Sequence, residues 1–356
     1  MNRSYWGQLL VGSIMTVAVL ALSGCSASDG PDGDGEDTPT IYTAGTYNDG
    51  TKDNACYWEG TTRHDLPGNG TDPAYARSVF VSGGIIYTAG YYFVGSRAIP
   101  CYWAGTTRTD LPGDGTHNAF ANSISISGGT VYTAGEYFNG SIRIPCYWTG
   151  TTRTDLPIDV AYSAADVYSV FISGGTVYTA GYYFVGTTTV TTVPCYWTGT
   201  TRTDLPVDGA DDGFAYSVFI SGSTVYTAGE HYRDMKFTPC YWTGVTRTDL
   251  AGDGTHGARA NSVFVLGSVV YTGGHYFNGG INVPCYWTST FKNDLPGDGF
   301  HDATVRSIFA LADTVYTAGY YDDGSKTIPC YWTGSKRTDL AGDGTHDAMA
   351  CSIFVE

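Results

Sequence analysis

The sequence predicts an all-β chain folded as a seven-bladed β-propeller, each blade a four-stranded antiparallel sheet. Three observations predict it. The tripeptide Cys-Tyr-Trp begins at Cys56, Cys101, Cys146, Cys195, Cys240, Cys285 and Cys330, with spacings of 45, 45, 49, 45, 45 and 45 residues. A second marker, Ile/Val-Tyr-Thr-Ala/Gly-Gly, keeps the same beat, with tyrosines at Tyr42, Tyr87, Tyr132, Tyr178, Tyr226, Tyr271 and Tyr316. The two ends of this array are complementary fragments of one unit. Self-similarity at this period belongs to propellers and solenoids, and four short strands per unit favour the propeller.

In chain order, residues 1–24 read as a secretion signal. Arg3 supplies the positive start, and residues 9–22 form an apolar core too short for a permanent span. Residues 25–40 read as Cys25 followed by a flexible acidic tether. Asp29, Asp32 and Asp34 lie there without the following Glu and helices of a calcium-binding EF-hand loop. Residues 41–356 are the wheel.

One unit shows how a blade is built. Residues 123–126, 130–137, 142–148 and 151–156 are rich in Val, Ile, Thr, Tyr and Trp and bounded by Gly, Ser or Asp, so each reads as a strand. Ser127-Gly128-Gly129 joins the first two and Thr149-Gly150 the last two. Glycine supplies the positive φ that tight hairpins need. No stretch carries helical spacing with a cap. The array starts at the second strand of a unit, Ile41-Tyr42-Thr43-Ala44-Gly45. Residues 352–356, Ser-Ile-Phe-Val-Glu, match the first strand of the others. That strand is expected to complete blade one and remove the open sheet edges.

The nine cysteines divide in three. Cys25 belongs to the N-terminal segment and Cys351 stands outside the series. The other seven occupy equivalent places on separate blades, too far apart for disulfides and without Cys-x-x-Cys spacing for zinc. They are expected to be small buried hydrophobes beside the tryptophans.

The chain carries 18 basic and 34 acidic residues, net −16. Setting aside Arg3 and the five acids Asp29, Asp32, Asp34, Glu36 and Asp37 leaves the wheel at −12. A nucleic-acid backbone would be repelled. No nucleophilic-serine motif, phosphate loop or His-Glu-x-x-His occurs. The wheel is expected to be a monomer.

The long loops between strands two and three share a face with the loops between blades, and function favours such loops. Aromatic residues recur there, and Tyr92, Tyr137, Tyr183, Tyr232, Tyr276 and Tyr321 are candidates for stacking on a sugar or contacting a protein. Gly-Asp-Gly-Thr-His and its near copies put Asp114, Asp253, Asp298 and Asp343 beside His117, His256, His301 and His346. Calcium could be held by such a loop, but Asp-Gly is also plain turn chemistry, and the turn is the favoured reading. Arg-x-Asp pairs such as Arg108/Asp110 recur on the outermost strand and read as edge protection and inter-blade pairing. Two stretches break the repeat: the insertion at 187–192, and Glu230-His231-Tyr232-Arg233-Asp234.

Two resemblances add to this. Leu22-Ser23-Gly24-Cys25 resembles the bacterial lipobox, which implies that Cys25 is acylated and becomes the mature N-terminus. Residue 26 is Ser rather than Asp, which by the sorting rule of such lipoproteins implies the outer membrane. Val315-Tyr316-Thr317-Ala318-Gly319 and Thr272-Gly273-Gly274 resemble the double-glycine strand of the kelch class of propellers. Asp339-Leu340 stands where that class has Trp before Leu. The likeness implies a wheel with a binding surface and carries over no catalytic residue. Near-identical repeats suit repeated weak binding of glycan or protein. A polysaccharide-active enzyme with its site at the central channel mouth is the alternative, and a passive envelope protein the third.

Overall fold

Strands run through the wheel at the expected beat because each unit alternates β-branched and aromatic residues between glycine turns. The computed structural model describes residues 38–158, 164–186, 191–207 and 212–356. The segments read as a secretion signal and a tether, Cys25 included and up to residue 37, lie outside the described residues, as do residues 187–190 of the insertion and Asp208 and Asp211.

Seven four-stranded antiparallel sheets stand in a ring. In blade three the strands are Ala119–Ser127, Thr130–Phe138, Arg143–Thr149 and Thr152–Asp155, ordered from the axis outward. Blade one is closed as expected. Its inner strand is Ala348–Val355, antiparallel to Ile41–Asn48, with Ile41 opposite Val355 and Tyr47 opposite Ala348.

The inner strands start earlier than expected. In blade three the strand begins at Ala119, four residues before Ser123, and crosses a β-bulge that leaves Asn122 unpaired. The same irregularity skips Arg77, Tyr168, Tyr216, Asn261, Arg306 and Cys351 in the other blades. Opposite each bulge stands the last glycine of the Tyr-Thr-Ala/Gly-Gly marker. A Cβ on Gly135 would overlap the carbonyl oxygen of Phe120, and Gly45, Gly90, Gly181, Gly229, Gly274 and Gly319 meet the same obstacle.

Three repeated contacts weld neighbouring blades. The buried serine after each bulge accepts a backbone N–H from the next inner strand, at 3.0–3.2 Å. The belt runs from Ser352 to Val79 and round to Ser307 and Ile353. Each of the seven Cys-Tyr-Trp tryptophans is fully buried and donates Nε1–H to a carbonyl leaving the previous blade, for example Trp148 to Pro112 at 3.0 Å and Trp58 to Ala341 at 2.9 Å. Each arginine of the outer Arg-x-Asp pair holds its aspartate, as Arg153 Nε does Asp155 at 2.8 Å, and Arg63, Arg108 and Arg153 also reach back to a carbonyl of the previous blade.

Candidate functional site

Repetition rules the wheel except at one place. The inner strand begins directly after the long inter-blade loop, so its bulged half lies towards the long-loop face. Its other half runs to the tight glycine turns. At that far end Phe171, Phe219, Phe264, Phe309, Phe354 and Phe80 pack ring to ring with centroids 4.9–5.4 Å apart. All six are buried, and only blade three, with Ser125, lacks the ring. The axis is therefore apolar at the tight-turn end.

Towards the long-loop face three positions per blade form a funnel wall. These are the bulged residue, the inner-strand residue two before it, and that residue's partner on strand two. Tyr75, Arg77 and Tyr91 fill them in blade two, and Phe120, Asn122 and Glu136 in blade three. Blade four has Asp166, Tyr168 and Tyr182; blade five has Phe214, Tyr216 and Glu230. Blade six has Arg259, Asn261 and His275; blade seven has Thr304, Arg306 and Tyr320; blade one has Met349, Cys351 and Thr46. No two blades match.

These side chains interlock across blade boundaries. Asn122 Nδ2 donates to Glu136 at 2.8 Å and to the Val167 carbonyl at 2.8 Å. Arg143 Nε lies 2.9 Å from Asp166, and the Tyr168 and Tyr182 hydroxyls are 3.0 Å apart. Glu230 Oε1 accepts from Tyr216 at 2.8 Å and from Arg259 of the next blade at 2.7 Å. His275 Nδ1 is 2.8 Å from the Thr304 hydroxyl. Tyr91 meets Phe120 edge-on at 4.8 Å, and Tyr182 meets Phe214 likewise.

The funnel perturbs its own titrations. Burial, then the nearby Asp166, pushes the Glu136 carboxyl well above the ordinary range. Burial also raises Asp166, against the pull of Arg143. The His275 imidazole falls to about 3, through burial first and then Arg259 and Arg306. The wall thus combines neutral and charged donors with aromatic rings, of which Tyr91 and Tyr216 are buried and Tyr75, Phe120, Tyr168, Tyr182, Phe214 and Tyr320 half-buried, the equipment for orienting a polar ring-shaped ligand.

The tyrosines singled out from sequence sit elsewhere. Tyr92, Tyr137, Tyr183, Tyr276 and Tyr321 are buried inside the blades, and each hydroxyl donates to the aspartate of an Arg/Lys-x-Asp pair at 2.9–3.1 Å. Arg108, Arg153, Arg202 and Arg337 cover four of the rings at 3.8–4.1 Å, and Lys292 covers Tyr276 at 3.3 Å. The faces a sugar would need are occupied. Strand alternation explains the displacement: Tyr91 faces the funnel, so Tyr92 faces the blade interior. Tyr232 is in a third place, opposite Phe237, because His231 holds the buried slot and lies 3.1 Å from Asp249. Within the flagged stretch, Glu230 is the residue that reaches the funnel wall.

The aspartates of the long loops are engaged in turns. Asp114 Oδ1 accepts the N–H groups of Thr116 and His117, and its Oδ2 lies 2.5 Å from His117 Nδ1. Asp253, Asp298 and Asp343 repeat this with His256, His301 and His346. Such bonds hold the carboxylates of Asp114, Asp253 and Asp343 well below the ordinary range, with the histidine contact the largest cause. Among the described residues no three His, Cys, Asp or Glu side chains gather as a metal set. Beside two of these loops open crevices of about 390 and 380 Å³, the first lined by Pro100, Leu111 and His117, the second by Pro329, Leu340 and His346.

No family model and no curated protein matches the chain. Solved structures do resemble it. The polysaccharide lyase Uly1 is 8% identical over 95% of this chain and 96% of its own, with a TM-score of 0.45. The lectin SapL1, solved with alpha methyl fucoside, is 12% identical over 75% and 95%, at 0.39. The β-propeller domain of the Trilobed protease from Pyrococcus furiosus is 7% identical over 75% and 95%, at 0.39.

Proposed function

We propose that the protein is a lipid-anchored envelope module that binds a glycan, without catalysis, in the axial funnel. One observation carries this reading. Cysteine, tryptophan and belt serine recur in all seven blades, while the three funnel positions differ in every blade. Repetition serves the wheel, and its loss around the axis, among polar and aromatic side chains, supports a single asymmetric site there.

The experiment is a glycan array followed by titration calorimetry on the full chain in detergent. One ligand per wheel is expected, weakened at least tenfold by Phe120→Ala. Several ligands per wheel, indifferent to Phe120→Ala, would move the site to the repeated crevices. Capture of protein partners but no glycan would replace the ligand class. The anchor is Cys25, held to the outer membrane by its acyl chains, each buried methylene contributing about 0.8 kcal/mol. Cys25→Ala should leave the protein in the aqueous phase of a detergent partition, and unchanged retention would reject the anchor.

Glu136 favours a second reading, a polysaccharide-active enzyme. A carboxyl that burial and the nearby Asp166 push upward is suited to general-acid work. Glycan cleavage abolished by Glu136→Gln, with binding retained, would establish it.

A further inference from the structure

The funnel charges are sorted by blade, and this inference rests on the funnel being the binding site. In blades three to five each carboxylate has a donor at hand: Asn122 for Glu136, Arg143 for Asp166, Arg259 and Tyr216 for Glu230. Arg143 and Arg259 are used in this way. Arg77 is not. Its side chain is more than nine-tenths buried, at 8% exposure, on the innermost strand of blade two. Nη2 donates to the Tyr91 hydroxyl at 2.6 Å, while Nε has no partner, and among the described residues no ion pair includes Arg77. A guanidinium cannot shed its proton, so burying one without an anion is costly.

Arg306 holds the equivalent position on blade seven and donates to Tyr320 at 2.8 Å. Blade one stands between the two, and its funnel positions are uncharged: Thr46, Met349 and Cys351. The three funnel positions of blades seven, one and two therefore include two guanidinium groups and no carboxylate, and the carboxylate beside them, Asp53 of blade one, accepts from the Tyr75 hydroxyl at 2.6 Å. On that side of the funnel Tyr75, Tyr91 and Phe120 form an aromatic shelf, with Tyr75 and Tyr91 stacked at 5.1 Å.

We propose that this arc is the subsite for an acidic sugar unit, whose anionic group is met by Arg77 and Arg306 while its ring rests on the Tyr75–Tyr91–Phe120 shelf. A uronate carboxylate and a sulfate ester offer the same chemistry, since both match the planar guanidinium fork with paired oxygens. The assignment also gives Arg77 a reason to be buried with only the rings of Tyr75 and Tyr91, 5.7 and 5.3 Å away, and the Tyr91 hydroxyl for company, and with no carboxylate. Functional sites commonly hold charges that the folded protein alone does not need.

The test is calorimetry and thermal melting on the full chain in detergent with four probes: tetragalacturonate, its methyl ester, a sulfated chondroitin tetrasaccharide and cellotetraose. An acidic probe should bind at least ~10-fold more tightly than both neutral ones, the difference expected of charge-assisted hydrogen bonds. Preference for galacturonate assigns a uronate and preference for the chondroitin a sulfate ester. Arg77→Met should remove that preference, and Arg77→Lys should keep part of it. Without ligand, Arg77→Met should melt no lower than the wild type, because it removes a buried unpaired charge. A lower melting point with no rescue by Arg77→Lys would make Arg77 structural and overturn the proposal. Equal binding of acidic and neutral probes, weakened by Phe120→Ala but not by Arg77→Met, would overturn the acidic subsite and leave the funnel standing. Binding indifferent to both variants, or no binding at all, would remove the funnel as well.

Discussion

Each repeat cysteine is fully buried, and burial lifts its thiol well above the ordinary range. The thiolate is the reactive form, so access and chemistry are blocked together. In the native protein, iodoacetamide should leave Cys56, Cys101, Cys146, Cys195, Cys240, Cys285 and Cys330 untouched, and all seven should react in guanidinium. Labelling of any one in the folded state, read by peptide mass, would contradict the packing beside the tryptophans. A second residue-scale expectation concerns acid. His275 has its folded pKa lowered to about 3, against an ordinary value of ~6.5. The unfolded chain then binds a proton that the folded one refuses. Stability is complete above ~6.5 and falls as the pH drops towards 3. The aspartates of the Asp–His turns have lowered pKa values, so their contribution persists above ~4 and is lost only below it. His275→Gln should flatten the melting-temperature curve between pH 6.5 and 4 while leaving the fall below 4. An unchanged curve would show that the imidazole is not the group responsible.

The inner strand is the element that the sequence described least well. Residues 119–122 read as loop because they vary among blades and hold Ala, Asn and Arg in place of β-branched residues. The structure makes them strand because a bulge absorbs the extra residue and a glycine opposite makes room. Strand identity elsewhere, the four-strand order and the closing strand were legible, since turns and alternation are local signals. The funnel was not. Its wall pairs Phe120 with Glu136 and Arg259 with Glu230, contacts set by register and by neighbouring blades rather than by spacing. Recurrence also drew the eye to Tyr92 and its equivalents, when recurrence marks what holds blades together. The bulge makes its own prediction. Gly135→Ala places a methyl on the Phe120 carbonyl and should cost about 3 kcal/mol or more in denaturant unfolding, as backbone overlap in a packed core does. Gly128→Ala, in an open turn with φ of 55°, should cost only about 1 kcal/mol. Equal losses would mean that the close approach is not what fixes the glycine.

At the scale of the molecule, closure is completed by Ala348–Val355 against Ile41–Asn48, and both the serine belt and the phenylalanine arc run through it. Removing residues 348–356 should expose the edge of Ile41–Asn48, open the belt at Ser352 and give aggregation or a sharp drop in melting temperature. A truncated wheel that melts like the intact one would refute the ring as described. The same seam governs the order of assembly. The strand that completes the first blade is synthesised after all six other blades, so a ribosome-bound chain carries a first sheet with one side bare. Blades two to seven can form as local meanders while the chain emerges. The circle cannot. The wheel therefore has a natural checkpoint: only a chain made and delivered past its last blade can hide its first edge, and a prematurely ended one is left sticky, marked for chaperone or protease.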